Sequence, residues 1–305
     1  MIVDAVDRYV ALIRAGGGLY RKVARQLADY AVFAQARGES HVRIQTVLEW
    51  TRRCSSAAQR HTQLLVVRRF ALAAALEDPR HEVPAGDLLP CVPWTRPKPY
   101  IYSPDEIASL LAVADECSSI GCPVPGQYRI LFGLIAATGL RCCEALALDI
   151  GDIIPDGLMV RPTKRAGRRL LPLHPTVETE LVRHLRKRAL VPANTEALFL
   201  GDRRGRLAPS TTGYAFHRML SRTGLAGAGS GGRNPRIHDF RHTFAVRSLE
   251  TCGSDRGEID RHVVALSAWL GHASVVDTYW YLESTETLLV QIVRQLETFH
   301  GEGTS

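Results

Sequence analysis

LGHASVVDTYWYL, residues 270–282, carries a histidine at 272 and tyrosines at 279 and 281. If the segment is helical, positions 279 and 281 stand about 200° apart and cannot share a face. Tyr279 then joins the stripe Val275, Tyr279, Leu282, which is apolar. Tyr281 joins Ser274, Asp277, Tyr281, Ser284, which is polar. A nucleophile that meets a charged substrate belongs on a hydrated, polar face. The pattern therefore assigns chemistry to Tyr281 and packing to Tyr279, provided the chain supplies partners.

Three upstream stretches supply them. IHDFRHTFAVRSLE, residues 237–250, reads as a helix with His238 and Arg241 three apart on one face. ATGLRCCEAL, residues 137–146, places Arg141 and Glu144 at the same spacing, with Glu144 suited to orient Arg141 or the lysine hairpin. DGLMVRPTKRAGRRLLPL, residues 156–173, reads as a β-hairpin: an apolar strand, a basic turn with Lys164 and Gly167, and a second apolar strand. His242, beside Arg241, is expected to pack or to face solvent.

Around these stretches the periodicity is mostly helical. Ser103 and Glu106 form a capping-box pattern that opens DEIASLLAVADE. QYRILFGLIAATG reads as a buried helix closed by Gly139, and further helices are expected over PTVETELVRHLRKRAL and ETLLVQIVRQLETF. The fold class expected is mainly α with a small antiparallel β-sheet.

The chain has 305 residues, 46% hydrophobic and 23% charged, which suits a globular protein of two domains. Residues 1–92 read as a small helical module. LYRKVARQLADYAVFAQARGE, for example, sets Val23, Leu27, Tyr30, Ala31 and Ala34 at helical steps and stops at Gly38. PWTRPKPYIYSPDE has four prolines between 93 and 104, so residues 93–103 are expected to be a linker and 104–305 a second domain. The start resembles no signal peptide and the apolar runs are too short for a membrane span, so a soluble, intracellular protein is expected, with no membrane partner. The seven cysteines form no CxxC, and neither a disulfide framework nor a zinc site is indicated.

The net charge of +7 is uneven. Residues 161–241 hold 17 Lys and Arg against 5 Asp and Glu, so that segment carries +12 and the remainder −5. Arg161, Arg165, Arg168, Arg169, Arg203, Arg204, Arg206, Arg233 and Arg236 dominate it. A local, arginine-rich excess of this kind points to a polyanion, foremost nucleic acid.

Arg141, Lys164, His238-x-x-Arg241, His272 and a tyrosine nine residues later, in that order, resemble the signature of the tyrosine recombinases, the phage integrase family. The resemblance is strong over residues 100–298; the first 90 residues match only in kind, as the helical core-binding module that clamps DNA. It implies a site-specific DNA recombinase that cleaves and rejoins strands through a 3′-phosphotyrosyl bond, with no metal or other cofactor. The catalytic residues it implies are Arg141, Lys164, His238, Arg241, His272 and Tyr281. Lys164 would protonate the leaving 5′ oxygen, His238 would assist proton transfer at the tyrosine or donate to the phosphate, and His272 would hydrogen-bond the phosphate. The partners implied are double-stranded DNA and further protomers, a tetramer on two DNA sites, with partner recombinases as candidates. The place implied is the bacterial cytoplasm, on the nucleoid.

The residues carry part of this chemistry on their own. Two arginines present planar forks of donors to a phosphate and stabilise charge that grows on its nonbridging oxygens. No cluster of carboxylates suits a two-metal nuclease. Two other readings fit: a noncatalytic DNA-binding regulator on the same fold, and a relaxase like the type IB topoisomerases. The segment between Arg241 and His272 is several residues longer than the common family spacing. The last helix, with Leu288, Val290, Ile292, Val293 and Leu296 largely on one side, would dock on its own domain or on a neighbouring protomer.

Overall fold

The computed structural model describes residues 1–15, 20–91, 98–117, 121–161, 167–252, 256–272 and 274–283, with backbone alone at 256, 279, 280, 282 and 283. The chain divides into two compact units, residues 1–96 and 97–305.

The first unit holds four helices: α1 (Ile2–Ala15), α2 (Arg21–Gln35), α3 (Ile44–Arg52) and α4 (Ala57–Glu77). Leu27, Tyr30, Ala31 and Ala34 of α2 are buried, as their spacing requires, and they pack with Val47 and Trp50 of α3 and Leu64, Val67 and Phe70 of α4. Val23 packs at the edge of this core. Trp50 keeps its indole N–H satisfied by donating to Asp29 at 2.7 Å, which ties α3 to α2.

The second unit begins with α5 (Pro104–Ala114), α6 (Gln127–Thr138) and α7 (Cys142–Ala147). Ser103 and Glu106 form the expected capping box on α5, at 3.1 and 2.7 Å. Gly139 ends α6 in the left-handed region, φ 67°. A three-stranded antiparallel sheet follows: β1 (Ile153–Ile154), β2 (Gly157–Val160) and β3 (Arg169–Leu171). The pairing Leu158↔Leu171 and Val160↔Arg169 realises the hairpin. The sequence reading misses β1, because two residues before a Pro155-Asp156 turn are too short to show alternation. Then come α8 (Pro175–Ala189), α9 (Pro209–Arg222), α10 (Ile237–Glu250), α11 (Arg256–Leu270) and α12 (Val276–Glu283). The main core gathers Leu131, Phe132 and Ile135 of α6, Leu158 of β2, Leu181 of α8, Phe216 of α9 and Phe240 of α10.

The end of the expected linker packs on the second unit. Tyr102 is fully buried and stacks on Phe240, ring centroids 4.6 Å apart. Its backbone N–H donates to Thr243 Oγ1 at 3.0 Å, and Arg247 donates to its carbonyl at 2.6 Å. Prolines keep this segment extended, and an extended strand with aromatic side chains packs along a helix as well as it spans a gap.

Among the described residues no helix is long and apolar enough to cross a membrane. The expected helix over 286–299 lies outside them.

Candidate active site

The site is built where α6 ends and where α10 and α11 converge. The end of α6 exposes the carbonyl of Gly139, and the end of α11 exposes those of Trp269, Leu270 and Gly271. Helix ends leave such acceptors without intrahelical partners. Arg241, on the buried face of α10 and 1% exposed, donates Nη1 to Gly139 O at 2.9 Å and Nη2 to Leu270 O at 2.7 Å. Burial first, then the like charge of Arg141, pulls its pKa down to about 10, so it stays cationic at neutral pH.

Arg141 precedes α7 and is about one third exposed along its side chain. Its Nη1 donates to Glu144 at 2.8 Å, while its contacts to the carbonyls of Leu270 and Gly271 are long, 3.5 and 3.4 Å. Its backbone N–H donates to the other Glu144 oxygen at 2.9 Å. Glu144 itself is 2% exposed. Burial raises its pKa, but the hydrogen bonds from Arg169 and from the Arg141 backbone outweigh that and hold it below the usual carboxylate value.

His272 follows α11 past Gly271, whose φ is 65°. Its Nδ1 bonds Thr278 Oγ1 of α12 at 2.7 Å, which fixes the ring. Burial first, then Arg241 and Arg141, pulls this imidazole down to about 4, so it is neutral at neutral pH. The ring lies parallel to that of Tyr281, centroids 6.1 Å apart.

His238 stands at the start of α10 with an edge open to solvent. Crowding by the surrounding protein first, then Arg241 and Arg236, pulls its pKa down to about 4; water at the open edge screens part of that effect. Its ring meets His242 edge-on at 4.6 Å, and His242 meets Tyr281 at 5.5 Å. The described residues thus bring Arg141, Arg241, His238, His272 and Tyr281 into one region. Lys164 lies outside them.

Three expectations are corrected here. Tyr281 is 3% exposed and packs with Ala245, Leu249, Val263 and Leu266, so it does not sit on a hydrated face. Ser274 and Asp277 on the same stripe are exposed. The stripe runs from solvent into the seam where α12 meets α10 and α11, which a single-helix pattern cannot register. The side chain of Tyr279 lies outside the described residues.

Secondly, the basic segment is less free than its composition implies. Arg161 and Arg206 pair with Asp149, Arg161 also with Asp152, Arg236 with Asp239, and Arg169 with Glu144. Three of those four carboxylates lie just upstream of the segment, so a windowed charge count misses them. Arg168, Arg203, Arg204 and Arg233 remain exposed.

Thirdly, Arg169 packs into this region although the reading of residue types assigned it to a charge field, whereas His242 is buried and packs against His238 and Tyr281 as expected. For Arg169 the signal was present: it stands two residues before the buried Leu171 on β3, so a period of two puts both on the inward face.

His41, Asp78 and His81 of the first unit bring donor atoms within 4.8 Å of one another. They make a poor metal site. His81 Nδ1 already accepts from the Val42 N–H at 3.1 Å, and Arg80 donates to both Asp78 oxygens.

Comparison with known proteins places this geometry. Residues 101–287 match the Phage integrase family. The chain is 35% identical over 304 residues to a Sinorhizobium fredii protein named "Putative integrase/recombinase y4rB", covering 96% of each. It is 28% identical over 292 residues to the tyrosine recombinase XerD of Corynebacterium glutamicum, covering 95% of this chain and 88% of that one. Among solved structures, a lambda integrase dimer bound to a COC′ core site matches with TM-score 0.63 and 19% identity, over 91% of this chain and 76% of that one. The Tn1549 transposon integrase in complex with a circular intermediate DNA matches with TM-score 0.64 and 17% identity, over 96% and 99%. With a family match over residues 101–287 and a relative 35% identical over 96% of each chain, the chain belongs to the phage integrase family, the tyrosine recombinases.

Proposed function

We propose that the protein is a site-specific DNA recombinase of a mobile element, which cleaves and rejoins strands through a 3′-phosphotyrosyl intermediate. The observation that carries the reading is the convergence of Arg241, Arg141 and His272 on the carbonyl-rich turn 269–271, with Tyr281 against His272.

In the cleavage step Tyr281 Oη forms a bond to the scissile phosphorus and the bond to the 5′ oxygen breaks. His238, neutral at neutral pH, receives the tyrosine proton. Lys164 gives a proton to the departing 5′ oxygen. Arg141 and Arg241 take the charge of the nonbridging oxygens, and they act in a recess where a preorganised donor is worth more than in water. Thr278 occupies His272 Nδ1, so Nε2 is the nitrogen turned to phosphate. Rejoining is the same sequence reversed with a 5′ hydroxyl as nucleophile.

Burial of Tyr281 implies that α12 shifts when DNA enters, since an in-line attack needs the phenol at the phosphorus. Duplex DNA and a tetramer of protomers on two sites fit this reading, as does the solved lambda integrase tetramer bound to a Holliday junction. The exposed Arg168, Arg203, Arg204 and Arg233 suit phosphate contacts.

The test is covalent trapping. Labelled, nicked duplexes from DNA flanking the protein's own gene are incubated with it and resolved on denaturing gels. An adduct that persists in Tyr279→Phe and vanishes in Tyr281→Phe supports the reading. An adduct lost only in Tyr279→Phe overturns the choice of nucleophile. Binding without any adduct favours a DNA-binding regulator on this fold.

A further inference from the structure

We propose that Arg169 is a positioning residue for strand cleavage, one that holds the Glu144 carboxylate and the turn 269–271 so that Arg141 keeps its charge available to phosphate. The inference rests on the recombinase reading above.

Every nitrogen of the Arg169 guanidinium already donates to protein. Nη2 and Nη1 reach the two Glu144 oxygens at 2.8 and 3.2 Å, and Nε reaches Trp269 O at 2.8 Å. The side chain is 11% exposed. It is therefore a poor DNA contact, unlike its exposed neighbour Arg168. Gly271 lies so close that an added Cβ would stand 2.8 Å from Arg169 Nη1. Arg169 thus spans β3, the start of α7 and the end of α11 with one rigid fork.

Charge gives the consequence. One buried carboxylate is shared by two guanidinium groups, so the cluster of Arg141, Glu144 and Arg169 carries a net positive charge. Without Arg169, Glu144 pairs with Arg141 alone, and the pair is neutral. Arg141 would be drawn back onto Glu144, and its long contacts to Leu270 O and Gly271 O show how little else holds it. The turn leading to His272 would lose its Trp269 anchor in the same change.

Two measurements on the full chain test this. The first is hydrogen exchange without DNA. In Arg169→Ala the amides of Leu270, Gly271 and His272 are expected to exchange faster, while α2 and α4 of the first unit keep their rates. Unchanged exchange at 270–272 overturns the proposal, whatever the DNA result. The second is single-turnover adduct formation on a nicked duplex with either a phosphodiester or a methylphosphonate at the scissile position. On phosphodiester, Arg169→Ala is expected to lose about 10²-fold in rate, the scale of a small misplacement of a catalytic group. Arg169→Lys, which restores the charge but not the fork, is expected to fall between. On methylphosphonate, which lacks one anionic nonbridging oxygen, the deficit should shrink. An equal deficit on both substrates marks a general structural loss and overturns the proposal. If wild type forms no adduct on any duplex, the recombinase reading fails, and the exchange measurement still decides whether Arg169 holds the turn.

Discussion

Arg241 Nη2 donates to the Leu270 carbonyl oxygen at 2.7 Å, joining the middle of α10 to the last turn of α11. With its second bond to Gly139 O, the guanidinium bridges the ends of α6 and α11. The residue proposed to stabilise phosphate charge therefore also ties these helix ends together.

Arg241→Lys should separate these duties. A lysine keeps the charge but cannot span both carbonyls. The expected result is adduct formation lowered by about 10²-fold, with a stability loss of about 1–3 kcal/mol from the acceptor left unpaired. Urea melts and single-turnover assays check it. A full-rate variant would mean that Arg241 is structural only.

Gly139→Ala should destabilise the protein. The position needs φ 67°, and a Cβ would stand 2.7 Å from Phe244 Cδ1 and 2.9 Å from Leu270 Cδ2. The left-handed backbone alone costs about 1–2 kcal/mol for a residue other than glycine. A thermal melt within error of wild type would contradict this.

Acid should weaken the fold through His272. Its folded pKa lies near 4, below the unfolded value, so the unfolded chain binds the extra proton first. The contribution is fully present above about pH 6.5 and is lost as pH falls toward about 4. Urea melts between these limits should show stability rising with pH, and His272→Gln should flatten part of that slope. An unaltered slope in the variant would place the effect elsewhere.

Adjacent arginines should behave unequally toward DNA. Arg168→Ala, at an exposed position, is expected to weaken duplex binding regardless of sequence and to reduce the log–log salt slope by about 1. Arg169→Ala should reduce that slope by less, through Arg141 alone, because its own fork is committed to Glu144 and Trp269. Filter binding across a salt series distinguishes the two.

Much of this was legible from residue order. Short-range rules predict α2's buried stripe, the Ser103–Glu106 cap, the Gly139 stop and the β2–β3 hairpin, because each depends on neighbours within one or two turns. The family pattern of Arg141, His238, Arg241, His272 and Tyr281 was legible as well, because it consists of residue types in a fixed order. What chain order could not decide was how helices distant in sequence close on one another. Packing of α12 against α10 and α11 buries Tyr281, although its own helical stripe is polar. Contact between β3 and the ends of α7 and α11 turns Arg169 from a surface charge into an anchor. Asp149 pairs with both Arg161 and Arg206, and Asp152 with Arg161, because the fold brings these segments together. These outcomes rest on burial and charge pairing between segments far apart in the chain, and only the tertiary structure determines them.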